Sequence, residues 1–180
     1  MTSAPFSPRP AGSAEPPTPR AEAPRLFGAP APPGGLLPWA WAETRLARAR
    51  NYWLATAGQS GVPHTRPVWG VWTPHGLLFS IGSPTALRNL RTNPAISIHL
   101  GDGDEVVIVE GTARRVTDRM TLRRYVNGLR TEYSYEADIT DEGFAGLDGA
   151  SGPVYLACPR LVFGWGADLF DPTRWVWPRP

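Results

Sequence analysis

The sequence contains no lysine and a single cysteine, and both shortages exclude classes of protein. All 18 basic residues are arginine, so the lysine-containing phosphate loop of P-loop nucleotide-binding proteins is excluded. Cys158 alone cannot form a disulfide scaffold and is typical of a reducing compartment. No apolar run approaches the roughly 20 residues that a membrane-spanning helix needs, and Met1–Pro10 lacks the apolar stretch of a secretory signal. The sequence therefore predicts a soluble, cytoplasmic protein with no membrane partner.

Charge and side-chain chemistry exclude further classes. The formal net charge is +2 with a sequence pI of 9.0, far from the basic stripe of a nucleic-acid binder. His64, His75 and His99 share no ligand spacing with one another or with Cys158, so we predict no metal site. Gly-x-Gly-x-x-Gly and Gly-x-Ser-x-Gly motifs are both absent, and with them the dinucleotide-binding and hydrolase signatures.

Proline divides the chain into two unequal parts. Eleven of the 21 prolines lie in Met1–Pro38, where Phe6 and Phe27 are the only aromatic residues. Such a segment cannot bury enough apolar surface to offset its ordering entropy. We predict a disordered Pro/Ala-rich leader over 1–38, either an untethered extension or a docking segment, and one folded domain over 39–180.

Hydrophobic periodicity from Pro38 onward predicts mainly β-structure with short helices. The six predicted strands are Tyr52–Ala57, His64–Trp72, Leu77–Ile81, Ala95–Leu100, Glu105–Thr117 (with a bend at Gly111) and Val154–Trp165. Helices are predicted from Pro38 to just before Asn51, from Ser83 to Leu90, and after an N-cap at Asp118. Residues 131–153 read as a loose acidic stretch and Asp171–Trp177 as a short aromatic end. Hairpin spacing of the strands favours a six-stranded antiparallel barrel with peripheral helices.

One candidate site is the turn that leads into the second helix. Ser83 is placed to cap this helix, with Pro84 in its first turn. The free backbone N–H groups near Thr85 and the positive helix end form an anion site. Arg88 lies one turn further, and its side chain leans back toward the helix start. Ser80 adds a hydroxyl from the preceding strand; the alternative is an ordinary capped helix.

A second candidate is the strand segment Arg66-Pro67-Val68-Trp69. An arginine on the alternation face of a barrel strand, beside tryptophans, suits an anionic group attached to a flat ring system. Gly70 would let a planar ligand approach the backbone. The alternative is a core strand whose arginine extends to solvent.

Together these segments resemble a known family. The matching text is Tyr52-Trp53-Leu54-Ala55-Thr56, Pro63-His64-Thr65-Arg66-Pro67-Val68-Trp69-Gly70-Val71-Trp72, Leu78-Phe79-Ser80, Arg88-Asn89-Leu90, Asn93-Pro94, Val106-Val107-Ile108-Val109-Glu110-Gly111-Thr112-Ala113 and Thr173-Arg174-Trp175. This ordered combination resembles the pyridoxamine 5'-phosphate oxidase-like split-barrel flavoproteins, and within them the actinobacterial branch that binds the deazaflavin coenzyme F-420 or FMN.

The resemblance implies a six-stranded split β-barrel that works as a homodimer, with cofactor in grooves between the subunits. It places the cofactor phosphate near Ser83, Thr85 and Arg88, and the ring along the strand that holds Arg66–Trp69. The complete set of cofactor-binding residues is then Arg66, Pro67, Val68, Trp69, Ser80, Ser83, Thr85, Arg88, Asn89, Arg174 and Trp175. The family's usual phosphate-site lysine is missing here, and we expect the guanidinium of Arg88 to replace it.

The resemblance also implies an activity: hydride transfer between F-420 and a small unsaturated or conjugated substrate. An FMN-dependent oxidase or reductase on the same barrel is the first alternative. A flavin- or tetrapyrrole-binding protein without turnover is the second, motivated by the missing lysine, and a plain interaction module is the third. We assign no catalytic side chain from the sequence, because Tyr52, Tyr125 and His64 are candidate proton donors only.

Overall fold

The computed structural model describes residues 18–26, 28–30, 35–101, 103–167 and 171–178. The strands are β1 (Arg20–Glu22), β2 (Arg25–Leu26), β3 (Ala29–Pro30), β4 (Tyr52–Ala57), β5 (Pro63–Val68), β6 (Gly70–Thr73), β7 (Gly76–Ser80), β8 (Ala95–His99), β9 (Val106–Arg115), β10 (Ala137–Thr140), β11 (Gly143–Gly146), β12 (Ser151–Gly152), β13 (Val154–Trp165) and β14 (Thr173–Val176). The helices are α1 (Trp39–Arg48), α2 (Pro84–Thr92) and α3 (Arg119–Tyr133). None of the described helices is both long and apolar enough to span a membrane.

One antiparallel sheet carries most of the strands and curls into a barrel that stays open on one side. Its strand order is β1-β14-β13-β9-β8-β4-β5, and β7 joins it by pairing with both β13 and β6. The long strand β13 pairs with β7 through Val154–Ala157 and with β14 through Leu161–Gly164. In the described part of the chain β5 and β6 follow one another without pairing, so the barrel is split between them. The predicted split β-barrel with peripheral helices is confirmed.

Strand alternation produces two cores, one inside the barrel and one beneath α3. The inner core contains Leu54, Leu77, Phe79 and Val109 from the three strands β4, β7 and β9. The outer core packs α3 against side chains on the opposite face of β6, β7 and β13, such as Val71 of β6. Gly128 makes this approach close, since a Cβ there would lie 2.4 Å from a methyl of Val71. The outer core thus fixes α3 beside the open side of the barrel.

The predicted single strand His64–Trp72 is wrong, because the chain breaks at Trp69 into β5 and β6. The hydroxyl of Tyr133 accepts a hydrogen bond from the backbone N–H of Gly70 at 3.1 Å and donates to its carbonyl at 2.9 Å. A side chain of α3 therefore takes the place of a neighbouring strand at this residue. The bend expected at Gly111 coincides with a register shift in the partner strand between Pro159 and Leu161.

The acidic stretch 131–153 was predicted to be loose, and this is also wrong. It continues α3 to Tyr133 and then forms the small sheet β10-β11-β12. The turn into β11 needs Gly143, whose φ is +142° and whose Cβ would lie 2.3 Å from the carbonyl oxygen of Gly152. Phe144 packs edge-on against Tyr125 of α3, with ring centroids 5.7 Å apart. These strands are too short for a readable period, which is why the pattern missed them.

Part of the predicted leader lies on the barrel. Strand β1 pairs with β14, and Glu22 accepts a hydrogen bond from Nε of Arg174 at 2.6 Å. This pairing differs from the expectation of an untethered 1–38 segment, because the edge of β14 offers backbone partners to an extended chain. Residues 1–17 of the predicted leader lie outside the described residues.

Candidate functional site

The first cleft lies at the split of the barrel. It is bordered by the connection from β5 to β6 and by the end of β7. It is an open cavity of about 390 Å³, within the usual size of small-molecule sites. Its lining combines both strand ends with α3 and the small sheet: Pro67, Val68, Trp69, Ser80, Ile81, Gly82, Tyr125, Leu129, Tyr135, Phe144, Asp148, Ala150 and Ser151. An open cavity with a largely apolar and aromatic lining suits a flat molecule.

Aromatic rings form the wall of the first cleft that α3 supports. The Trp69 ring stacks on Tyr133 with centroids 4.7 Å apart and an interplanar angle of 19°. Tyr135 meets the same indole edge-on at 5.8 Å. Trp69 nevertheless remains 40% exposed, so the indole keeps surface available to a ligand. Stacked and edge-on rings of this kind are the surfaces on which planar heterocycles bind.

A phenol and a carboxylate face each other at the rim of this cleft. The hydroxyl of Tyr135 donates to Oδ1 of Asp148 at 2.5 Å, and the backbone N–H of Ala150 donates to the same oxygen at 3.0 Å. The hydrogen bond to the carboxylate raises the pKa of Tyr135 to about 12. The same bond lowers the pKa of Asp148 below its ordinary value. At neutral pH the rim therefore carries a neutral phenol beside a negative charge.

The second cleft, of about 400 Å³, lies along one side of α2. His64 of β5 reaches across to the start of this helix, where its Nε2 lies 2.9 Å from Oγ of Ser83. Arg88 is exposed and donates to Oγ1 of Thr85 at 3.0 Å. The lining consists of Gly58, Gln59, Ser60, Val62, Pro63, His64, Thr85, Arg88, Asn89 and Thr92.

Strand alternation places Arg66 between the two clefts. His64 lines the second cleft and Val68 lines the first, and these residues share one face of β5 with Arg66. The Arg66 guanidinium is exposed and donates to the carbonyl of Thr65 at 2.9 Å. We call the two clefts and the β5 face between them the split groove. Its long axis follows β5.

The N-terminus of α2 borders the split groove, because Gly82 lines the first cleft, Thr85 lines the second and Ser83 contacts His64. Oγ of Ser83 accepts from the backbone N–H of Ala86 at 3.4 Å, which confirms the predicted N-cap. A Cβ built on Gly82 meets nothing within 4 Å, so the backbone just before the cap faces open space. The positive end of the helix dipole and the exposed Arg88 fit the phosphate of a flavin-like cofactor. The exposed Arg66 fits its other anionic groups. The aromatic wall fits its ring.

The structure brings together most of the predicted cofactor-binding residues and leaves others apart. Eight of them border the split groove: Arg66, Pro67, Val68, Trp69, Ser80, Ser83, Thr85 and Arg88. Asn89 also lines the second cleft, but its amide donates to Oγ1 of Thr56 at 3.1 Å and thereby anchors α2 to β4. Ser80 donates to the carbonyl of Pro153 at 2.8 Å, so both polar groups already have structural partners.

The two predicted residues near the C-terminus lie elsewhere. Trp175 is 0% exposed inside the barrel core, so in this chain its ring cannot touch a ligand. Arg174 bonds to Glu22 on the outer side of the sheet. Gly70 also differs from its expected role, because a Cβ there would lie 2.7 Å from a methyl of Leu77. The glycine makes room for a core leucine rather than for a ligand.

Of the three candidate proton donors, Tyr125 and His64 line the split groove, whereas Tyr52 does not. Tyr52 is buried and donates to the carbonyl of Leu46 at 2.5 Å, and burial raises its pKa. Tyr125 lines the first cleft, and burial raises its pKa as well. His64 lines the second cleft. Sequence reasoning missed Tyr135, Phe144 and Asp148, which come from the stretch read as loose; the tyrosines clustered near the end of α3 were the available signal.

A split barrel with a two-part groove at its open side defines a class of cofactor-binding proteins. The family model of pyridoxamine 5'-phosphate oxidase matches residues 41–149, and the chain belongs to this family. Its members bind flavins such as FMN and include oxidases. A search of curated proteins finds no match.

Solved structures share the fold at low sequence identity. Conserved hypothetical protein Rv2991 from Mycobacterium tuberculosis has a TM-score of 0.59 and 19% identity, covering 77% of this chain and 91% of that one. A FAD-binding protein from Mesorhizobium loti has a TM-score of 0.54 and 16% identity, covering 79% and 96%. The heme storage protein HutZ from Vibrio cholerae has a TM-score of 0.50 and 18% identity, covering 69% and 90%.

Proposed function

We propose that this protein is an oxidoreductase that binds deazaflavin coenzyme F-420 in the split groove and transfers hydride to a small unsaturated or conjugated substrate. The observation that carries the proposal is the joining of an anion site at the start of α2 to an aromatic cleft along one face of β5. A planar redox cofactor with a phosphorylated tail has the same two halves. FMN shares this chemistry and is the alternative cofactor on the same groove.

The protein's own residues divide the work of binding. Arg88 and the backbone N–H groups at the start of α2 hold the phosphate, and Ser83 and Thr85 orient those donors. Arg66 supports anionic groups between the clefts, while Pro67–Trp69 and Ser80 border the ring. When bound, the cofactor supplies the hydride chemistry, and the chain supplies position and electrostatics. The aromatic wall excludes water from the reacting face of the substrate.

We also propose that the protein is a homodimer. One row of the sheet crosses its outer face through Pro67, Trp53, His99, Ile108 and Phe163, as the strand registers show. Ile108 and Phe163 are half-buried and Trp53 is 39% exposed, so apolar side chains face outward from the barrel. A self-complementary apolar face is what a two-fold dimer buries. Pro67 belongs both to this row and to the first cleft, so a second subunit would lie against the groove.

The dimer has its own test. Phe163→Asp places a charge at one end of the apolar row, and light scattering should then report a monomer, whereas Thr112→Asp at an exposed position of β9 should leave the dimer intact. A wild-type protein that is already monomeric contradicts the proposal.

We also propose that the protein works in the cytoplasm. Its single cysteine, Cys158, is free, and free cysteines are typical of a reducing compartment.

Titration with a panel of ligands tests the proposed activity. Purified protein is titrated with F-420, FMN, FAD and heme, and the reduced form of the preferred cofactor is then mixed with quinones, enones and biliverdin-like acceptors. Tight binding of F-420 and acceptor-dependent loss of its reduced form support the proposal. Preference for FMN, with turnover, supports the alternative cofactor, and no binding of F-420 or FMN contradicts both.

A second candidate function is binding of a flavin or tetrapyrrole without turnover. Two observations favour it: among the described residues, the lining of the first cleft offers no acid other than Asp148 and the tyrosines, and a fold neighbour is described as a heme storage protein. In the titration above, heme binding with no oxidation of any reduced cofactor supports this function. Catalytic turnover with any acceptor contradicts it.

A further inference from the structure

The outward side of α3 carries charge of almost one sign. We call its exposed residues the basic face, which consists of Arg119, Met120, Arg123, Arg124, Asn127 and Arg130. Glu132, near the C-terminal end, is the only acidic residue of this helix. The opposite side of α3 lines the first cleft through Tyr125 and Leu129. The basic face therefore lies outside the split groove, and the proposed function does not use it.

Most of the positive charge on the basic face is not compensated within the chain. Arg130 is paired with Glu136, and the two groups are 2.9 Å apart. The other three arginines differ: no carboxylate of the described residues lies within ion-pair distance of Arg119, Arg123 or Arg124. Three guanidinium groups on one helix are therefore available to an anionic partner.

The positions of these arginines are unfavourable for the helix itself. Arg119 is the first residue of α3, where the positive end of the helix dipole disfavours a cation. Arg119 and Arg123 are four residues apart, so two like charges are neighbours on the helix surface. The Asp118 carboxylate next to them is already engaged, since it accepts the backbone N–H of Thr121 at 2.8 Å. Departures from local rules such as these are typical of functional surfaces.

We propose that the basic face of α3 binds an acidic helical segment of another protein. Because a helix rises 1.5 Å per residue, Arg119 and Arg123 are about 6 Å apart along the axis, and carboxylates four residues apart on a partner helix have the same spacing. Met120 is 65% exposed and lies between these two arginines and Arg124 around the helix. A neutral strip flanked by cations is complementary to a helix whose apolar strip is flanked by acids.

Two other anionic partners fit this surface less well. The apolar side of α3 is buried in the outer core through residues such as Leu122 and Val126, so the helix has no apolar side to insert into a bilayer. Met120 is the one large apolar side chain that α3 exposes, and the basic face has no aromatic ring on which a base could stack. The formal net charge of +2 is also small for a nucleic-acid binder. These observations favour a protein partner.

A matched pair of peptides tests the inference on the full chain. Both are alanine-based helical peptides of about 18 residues, long enough to form a helix in isolation. One carries glutamates on both sides of a strip of leucines, and the other has glutamine at the same positions. Each is labelled with a fluorophore and titrated with the protein at low and at high salt. We expect the glutamate peptide to bind about tenfold more tightly at low salt, with a preference that shrinks as salt screens the charges.

A charge reversal at the start of α3 should separate binding from stability. Arg119→Glu places an anion at the positive helix end and four residues before Arg123, so we expect a higher midpoint of thermal unfolding. The same variant should bind the glutamate peptide about tenfold more weakly. Arg160→Glu is the control, because it changes the net charge equally at an exposed arginine of β13. It should bind the glutamate peptide as the wild type does.

Four results would overturn the inference. The first is equal binding of the two peptides, or no binding of the glutamate peptide. The second is an equal loss of affinity in Arg119→Glu and Arg160→Glu, which would mean that only the net charge matters. The third is a lower unfolding midpoint for Arg119→Glu, which would give Arg119 a structural role. The fourth is tighter binding to phosphatidylserine vesicles or to duplex DNA than to the glutamate peptide, because the face would then belong to a membrane or a nucleic acid.

Discussion

His64 Nε2 lies 2.9 Å from Oγ of Ser83, and this contact joins β5 to the start of α2 across the split of the barrel. No backbone ladder connects β5 to the other side of the split in the described part of the chain. The pair therefore sets the width of the groove where the two clefts meet. It also orients the hydroxyl that caps α2.

Removing the imidazole should loosen the groove more than it destabilises the fold. We expect His64→Ala to lower the free energy of unfolding by about 1 kcal/mol, the net contribution of one partly exposed hydrogen bond. The affinity for F-420 or FMN should fall as well, because α2 loses its link to β5. Urea denaturation and cofactor titration measure the two effects. His75→Ala, in the exposed turn before β7, is the control and should change neither; a cofactor affinity unaffected by His64→Ala contradicts this role.

Substitutions at Ser83 should separate capping from anion binding. Aspartate caps helices as well as serine does and is favoured by the helix dipole, so Ser83→Asp should retain the thermal stability of the wild type. Its negative charge lies where we place the cofactor phosphate, and binding should weaken at least tenfold by the usual scale of like-charge repulsion. Ser83→Asn keeps the cap without the charge and should bind normally. Equal affinities of the Asp and Asn variants would show that no phosphate approaches this helix end.

The hydrogen bond between Tyr135 and Asp148 should stabilise the fold only within a range of pH. The raised pKa of Tyr135, about 12, means that its contribution is lost as the pH rises from the ordinary phenol value of 10.0 toward 12. The lowered pKa of Asp148 means that its contribution is present above its ordinary value of 3.8 and lost as the pH falls below it. Wild type and Tyr135→Phe should therefore differ in stability at neutral pH and converge at both extremes. Urea denaturation across pH checks this, and a pH-independent difference contradicts it.

The fold could be predicted from the sequence where the hydrophobic periodicity agrees with the positions of helix-capping and turn residues. β4 and β13 are strands over the predicted residues, and the caps at Ser83 and Asp118 accept the expected N–H bonds. Each of these features depends on neighbours in sequence. The small sheet β10-β11-β12 was missed because its strands are held by contacts with α3, not by a pattern of their own.

The site could be predicted only in its basic part, for a similar reason. Ser83, Thr85 and Arg88 lie within two turns of one helix, so local spacing places them together. The aromatic part combines Trp69, Tyr135 and Asp148 from three separate connections between elements. Their proximity depends on the break of the strand at Trp69, which is produced by Tyr133 of α3. Long-range contacts of this kind leave no mark in local spacing.

The most direct test of the central claim compares two arginines on the same helix. Arg88 lines the second cleft, while Arg91 is also exposed and lines neither cleft. If the cofactor phosphate binds at the start of α2, Arg88→Ala should weaken the affinity for the preferred cofactor by roughly 10- to 100-fold, the cost of a lost charged hydrogen bond. Arg91→Ala should leave it within about twofold, the small effect of a remote surface charge. Identical cofactor affinities of the two variants and the wild type would contradict the account.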